Sequence, residues 1–203
     1  MLFPVGSRLV RPGRLLLVVG PSGVGKDTLL DYARTKLASD PRIRFVRRVI
    51  TRAASPGEDH EPIDDQAFDQ RSARGEFALQ WDAHGLRYGI PAAIEGWLAR
   101  GDTVVVNGSR RIIRDARRVY PSLEVIGISA SEQAIAERLA QRGREDEAAI
   151  GARLARSRTM AFDVGDALMI DNSGEIPVAG EALVAALARR ECLDGAVQEG
   201  CKS

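Results

Sequence analysis

Gly20-Pro21-Ser22-Gly23-Val24-Gly25-Lys26-Asp27-Thr28 decides the reading of this chain. It follows the apolar run Leu15-Leu16-Leu17-Val18-Val19 and precedes a helical pattern. Two glycines with four residues between them and then a lysine, set between a buried strand and a helix, form a phosphate-binding loop, or P-loop. Glycine lets the backbone curl so that successive N–H groups face one anion, and the following helix turns its positive end toward it. Lys26 is placed to reach the β- and γ-phosphates of a nucleoside triphosphate. One position departs from the pattern. The residue after the lysine is ordinarily Ser or Thr, whose hydroxyl holds Mg²⁺; here it is Asp27, with Thr28 one place later.

Working outward, the 203 residues suffice for one α/β domain carrying an inserted substructure. The net charge of +1 gives no bulk attraction for a polyanion. With no aromatic platform either, nucleic acid is not an expected partner. Arginine carries nearly all the positive charge, the lysines being Lys26, Lys36 and Lys202. Guanidinium forks grip phosphate in two places at once. Cys192 and Cys201 lie near the C-terminus, outside any core pattern, and suggest neither a disulfide framework nor a metal site. No signal-peptide pattern and no apolar stretch of about 20 residues is read, so no membrane role and a cytosolic location are expected.

The expected order begins with a loose leader over 1–13 and a strand over 14–19. A helix built on Leu29, Leu30, Ala33 and Leu37 closes at Asp40-Pro41, and a second strand runs from Ile43 to Thr51. Ser55 to Asp65 reads as acidic turn, and Asp64 to Arg74 as a short helix. Phe77–Trp81 and Leu86–Tyr88 read as strands around a turn at His84-Gly85. Pro91 suits the first turn of a helix ending at Gly101. There follow a strand at Thr103–Val106, a helix at Ser109–Val119 and a strand at Leu123–Ser129. A helix capped by Ser131 reaches Arg142-Gly143, and another spans Asp146–Met160. The last strand is Ala167–Asp171 and the last helix Ile176–Arg190. Strands alternating with helices imply a parallel sheet with helices on both faces. The whole is expected as one domain: a core over about 14–52 and 91–190, an inserted β-rich lobe over about 53–90, a lid over about 138–156 and a mobile tail over about 191–203.

Several ordered segments resemble the guanylate-kinase-like branch of the P-loop nucleoside-monophosphate kinases. They are Gly20–Thr28, Ile50-Thr51-Arg52 with Pro56-Gly57-Glu58, and Gly75-Glu76-Phe77. Further along come His84-Gly85-Leu86-Arg87-Tyr88-Gly89, Arg138-Leu139-Ala140-Gln141-Arg142-Gly143 and Ile150-Gly151-Ala152-Arg153-Leu154. The resemblance implies a P-loop NTPase fold with an inserted acceptor-binding lobe and an arginine-rich lid. It also exposes departures. Guanylate kinases hold guanine with a glutamate where Leu79 stands and use an aspartate where Asn107 stands. The second phosphate-binding arginine is replaced by Ser55, and a tyrosine of the acceptor segment has no clear counterpart. A buried base edge left without partners costs about 1–3 kcal/mol per group, which argues against guanine. Gly25-Lys26-Asp27, Phe77–Gly85 and Val106-Asn107-Gly108-Ser109-Arg110 resemble instead the ribose 1,5-bisphosphate phosphokinases of the same branch, which serve bacterial phosphonate breakdown.

That resemblance implies transfer of the γ-phosphoryl group of ATP to the 1-phosphate of ribose 1,5-bisphosphate, giving 5-phospho-α-D-ribose 1-diphosphate (PRPP) and ADP. The alternatives are a guanylate or other nucleoside-monophosphate kinase and, in another class, a non-catalytic guanylate-kinase-like protein-binding module. The acceptor would already be an oxyanion, so no general base is required; the barrier is the gathering of negative charge, lowered by Mg²⁺, Lys and Arg. By the resemblance, Lys26, Arg142 and Arg153 are the catalytic candidates. ATP falls to Gly20, Pro21, Ser22, Gly23, Val24, Gly25, Lys26, Asp27 and Thr28, with Arg138 and Asn172. Arg52 and Tyr88 match acceptor-phosphate residues, and Ser109 and Arg110, at the carboxyl end of a buried strand, are assigned to the sugar phosphate. Arg47 and Arg48 are accessory candidates, and Glu58 and His84 are read as turn residues. Asp27 and Thr28 are the Mg²⁺ candidates, the alternative for Asp27 being a carboxylate that only complements the helix dipole. Gly143-Arg144-Glu145-Asp146 would be the lid tip, the alternative being a solvated, charge-laced helix pair. The ligands are then ATP and a sugar phosphate; the oligomeric state is left open, a homodimer included.

Overall fold

In the computed structural model the run Leu15–Val19 forms the centre of β1 (Arg14–Val19), and every side chain in that run is buried. The structure describes residues 13–53, 59–141 and 165–189. β1 is the middle strand of a five-stranded sheet with β2 (Ile43–Phe45), β7 (Thr103–Asn107), β8 (Glu124–Ser129) and β9 (Leu168–Asp171), in the order β2-β7-β1-β8-β9. Every pairing in it is parallel. Alternation along β1 sends Leu15, Leu17 and Val19 to one face and Leu16 and Val18 to the other. The first face packs against α3 (Ala93–Ala99), a 3₁₀ turn at Arg110–Ile112 and α4 (Ile113–Val119) through Ile94, Ile112, Ile113 and Ala116. The second packs against α1 (Lys26–Lys36) and α6 (Ile176–Ala188) through Leu29, Leu30, Ala33, Ala179, Leu183 and Leu187. α1 and α6 approach closely at Gly180, where a Cβ would lie 2.5 Å from Tyr32 Cδ1. α5 (described over Glu132–Gln141) is capped by Ser131, whose Oγ accepts from Ala134 N at 3.2 Å, as its sequence indicates.

A second, four-stranded sheet carries the inserted lobe, in the order β4-β3-β6-β5: β3 is Arg48–Ile50, β4 His60–Pro62, β5 Phe77–Ala83 and β6 Leu86–Pro91. β5 and β6 form a hairpin whose two turn residues, His84 (φ 55°) and Gly85 (φ 72°), have the positive φ pair of a type I′ turn. α2 (Asp65–Ala73), capped by Asp64, lays the fully buried Phe68 against Phe77, ring centroids 4.7 Å apart.

Three sequence expectations are corrected. The strand read over Ile43–Thr51 is two strands: β2 pairs with β7 in the main sheet, Val46 extends that pairing (N to Val105 O, 2.9 Å), and β3 belongs to the lobe. Ile43 to Thr51, with no glycine or proline to punctuate it, carries no mark of a change of sheet. The acidic turn contains β4, a three-residue edge strand ending in Pro62, where a missing N–H is tolerated. Pro91 closes β6 rather than opening α3, which begins after Ala92. The helix read over 146–160, the lid tip, Ser55–Glu58, Cys192 and Cys201 lie outside the described residues. No helix among the described residues is long and apolar enough to cross a membrane.

Candidate active site

The carboxyl end of β1 opens between β7 on one side and β8 on the other, where open α/β sheets bind their ligands. Gly20 passes so close to β8 that a Cβ would stand 2.5 Å from Ile128 O. Gly23 (φ 84°) and Gly25 (φ 94°) take the left-handed conformation that curls the loop into α1. Lys26 Nζ lies across this loop, donating to Gly20 O at 2.9 Å and Pro21 O at 3.0 Å. The ammonium is thus held at the loop by carbonyls with which a phosphate oxygen competes on favourable terms.

Asn172 and Arg138 reach the loop from behind. Asn172 follows β9 and its backbone N donates to Ser129 O at 2.7 Å. Its side chain is 0 % exposed, and Nδ2 donates to Val24 O at 2.7 Å. Arg138, on α5, donates from Nη1 to the same Val24 O at 3.3 Å and from Nη2 to Gly174 O at 3.5 Å.

The first turn of α1 faces the end of β7. Asn107, the last residue of that strand, donates from Nδ2 to Asp27 Oδ1 at 2.7 Å. Arg48 Nη2 stands 4.0 Å from the same oxygen. The nearly buried Arg48 guanidinium also lies 6.0 Å from the centre of the Tyr88 ring, and Tyr88 stacks on Trp81 at 5.1 Å with planes 5° apart. A chain of polar and π contacts therefore runs from the P-loop helix into the lobe. Asp27, Arg48 and Asn107 line one cleft there, with Phe45, Val46 and Val105. Arg34, which also lines it, pairs with Asp31 at 2.7 Å, and the lining residue Asp59 pairs with Arg47 at 2.9 Å.

Arg52, just after β3, lines a separate hollow with Thr51, Pro62, Ile63 and Asp64. The buried His60 places Nε2 3.3 Å from Arg52 O. Ser109 and Arg110 follow Asn107 by two and three places. Ser109 Oγ accepts from Arg111 N at 3.3 Å, capping the 3₁₀ turn, and burial lowers the pKa of the Arg110 guanidinium from its usual range. Thr28 is exposed on α1. Leu79, where guanylate kinases carry a glutamate, is buried in the core with Ile90 and Ile94. His84 serves the hairpin turn. Arg142 and Arg153 lie outside the described residues.

Sequence reasoning singled out Lys26, Asp27, Arg138 and Asn172, and the structure groups them around one loop. It gave Arg48 only an accessory place, and it noted Asn107 only as a departure, missing its bond to Asp27. The available signal was a lone amide at the end of the buried run Thr103–Val106.

No protein-family model matches the chain. It is 48% identical over 173 residues to a protein of Brucella melitensis named ribose 1,5-bisphosphate phosphokinase PhnN, covering 85% of this chain and 90% of the relative. A protein of Acidiphilium cryptum with the same name is 51% identical over 179 residues, covering 88% and 94%. The chain belongs to the ribose 1,5-bisphosphate phosphokinase family. Among solved structures, guanylate kinase from Anaplasma phagocytophilum matches with a TM-score of 0.63 at 19% identity, over 87% of this chain and 85% of that one. This likeness carries the fold. Family membership agrees with the sequence reading, and members of this family are kinases that use a nucleoside triphosphate.

Proposed function

We propose that this protein transfers the γ-phosphoryl group of ATP to the 1-phosphate of ribose 1,5-bisphosphate. An oxygen of the 1-phosphate forms the new P–O bond, the bond between the γ-phosphorus and the β,γ-bridging oxygen breaks, and the products are ADP and PRPP. The observation that carries the reading is the identity of 48–51% to proteins of that name over most of the chain. The site supports it. A carboxylate that reads guanine has no counterpart at the buried Leu79, and Asn107 spends its amide on Asp27.

In this reading the loop Gly20–Gly25 receives the phosphates of ATP, and Lys26 bridges the β- and γ-groups. Arg52, Tyr88, Ser109 and Arg110 take the acceptor, with Arg48 between the two ligands. Arg142 and Arg153 would complete the set. Charge neutralisation and alignment are the catalytic work, since the attacking phosphate is ionised near neutrality. The donors suit Mg²⁺ in the manner of nucleotide enzymes, which hold it by few protein oxygens and otherwise by phosphate and water. Asp27 gives Oδ1 to Asn107 and keeps Oδ2, and Thr28 adds a hydroxyl on the same turn. Among the described residues no cluster of three or more metal-ligating side chains competes for that part. The ion, when bound, neutralises charge on the phosphate oxygens.

Phosphorus NMR of the purified protein with ATP and either ribose 1,5-bisphosphate or GMP tests the proposal. The expected result is a diphosphate pair on the pentose, with GMP unchanged. Conversion of GMP with the pentose untouched overturns it.

A further inference from the structure

Asn172 is placed to fix the orientation of one peptide plane in the P-loop. In a trans peptide the C=O and the following N–H point in opposite directions. The Val24 carbonyl is drawn to the back of the loop by Asn172 Nδ2 at 2.7 Å and Arg138 Nη1 at 3.3 Å. The Gly25 N–H, on the other side of the same plane, is therefore directed away from both donors, toward the inner side of the curl. The direction of the Asn172 amide is itself determined. A flip would set Oδ1 against the Val24 oxygen, acceptor against acceptor.

The anchor is rigid. Asn172 is 0 % exposed and its backbone continues the ladder between β8 and β9. A Cβ on Gly25 would lie 2.5 Å from Asn172 Nδ2, so the amide packs directly on the left-handed glycine. Among the described residues Asn172 Oδ1 has no hydrogen-bond partner, and the hold on Val24 comes through the Nδ2 arm. A side chain so enclosed presents no free edge to a nucleobase.

We infer that Asn172 is a positioning residue for the phosphate chain of the nucleotide, acting through the Val24–Gly25 peptide and not by reading adenine. The inference rests on the P-loop being the ATP site and is independent of the acceptor. Its test is calorimetric titration of the full-length protein with ATP, GTP and inorganic tripolyphosphate, without acceptor. Asn172→Asp replaces the donor by an acceptor facing Val24 O. It is expected to weaken all three ligands by a similar factor, about ten- to a hundredfold, leaving the ATP-to-GTP ratio as in the wild type.

Arg138→Gln provides a second variant that leaves the buried amide in place. It is expected to weaken the three ligands evenly but less, and it keeps the test open if Asn172→Asp does not fold. Tripolyphosphate affinity unchanged in either variant while ATP weakens, or a changed ATP-to-GTP ratio, overturns the inference. A wild-type protein that binds none of the three would instead overturn the assignment of the loop.

Discussion

Asn107→Asp installs the residue that guanylate kinases carry at this place, and the structure sets the cost. Asn107 Nδ2 stands 2.7 Å from Asp27 Oδ1, so the variant brings two carboxylates together at about that separation. Two unit charges 2.7 Å apart repel by about 6 kcal/mol at an effective dielectric constant of about 20 and about 1.5 kcal/mol at 80. Asp27 is 42% exposed, which places the pair between those limits, at about 3 kcal/mol. Arg48, 4.0 Å from the same oxygen, softens the repulsion without removing it. Asn107→Ala loses only the charge-assisted hydrogen bond, about 1.5–3 kcal/mol. The isosteric variant is therefore expected to be worse than the truncated one, by about 3 kcal/mol. Urea denaturation at pH 8 measures the stability of both, and ADP release with ribose 1,5-bisphosphate and with GMP measures their function. The exchange Asp27→Asn with Asn107→Asp reverses donor and acceptor and is expected to recover most of the lost stability, though not the carboxylate assigned to the metal. If Asn107→Asp is as stable as Asn107→Ala and the exchange recovers nothing, the contact does not hold the two elements together. If Asn107→Asp gains GMP turnover, this one position controls the acceptor and the weight given to Leu79 is misplaced.

Lys26→Met removes the charge assigned to the β- and γ-phosphates while keeping the length of the side chain. Turnover is expected to fall by about 10²–10³-fold in single-turnover assays, with the far-ultraviolet circular dichroism unchanged. Phe68→Ala empties a fully buried site between Phe77 and the Arg87 guanidinium, which lies 4.3 Å from the ring centre. A loss of about 3–5 kcal/mol is expected by denaturation. Because the site is in the lobe, KM for the acceptor is expected to rise while ATP affinity holds. Tyr120 donates to Glu95, and its pKa is raised first by burial and then by that carboxylate. A raised folded-state pKa means its contribution is complete below the free-tyrosine range of about 10 and declines as pH rises through and above that range. The stability gap between wild type and Tyr120→Phe is accordingly expected to narrow between about pH 9 and pH 11, read by denaturation across that range.

The P-loop was legible because its constraint is local. Gly23 and Gly25 are required by positive φ, and strand, loop and helix lie in one continuous segment. The His84-Gly85 turn and the cap at Ser131 were legible for the same reason. The split between β2 and β3 was not. Residues 43–51 hold two three-residue strands with only Val46 and Arg47 between them, and which sheet each joins depends on β7 and β6, far away in sequence. Nor was the Asp27–Asn107 bond, which joins positions 80 residues apart, or the Asn172–Val24 bond, which joins positions 148 apart.

Both hidden contacts obey one rule of parallel sheets. Asn107 pairs in register with Val18, and Asp171, just before Asn172, pairs with Ser129. Register thus puts the last residues of β7 and β9 level with the start of the loop that leaves β1. A polar side chain ending a buried apolar strand then has few places to satisfy itself except the loop or the helix following it. The sequence displayed both amides, but it did not display the strand order β7-β1-β8-β9 that aims them. The glycines permit many curls, and the sheet, through two asparagines on opposite sides, selects one. A glycine-rich loop of the same sequence on another strand order would keep its freedom and lose that selection, so the curl here is a property of the sheet as much as of the loop.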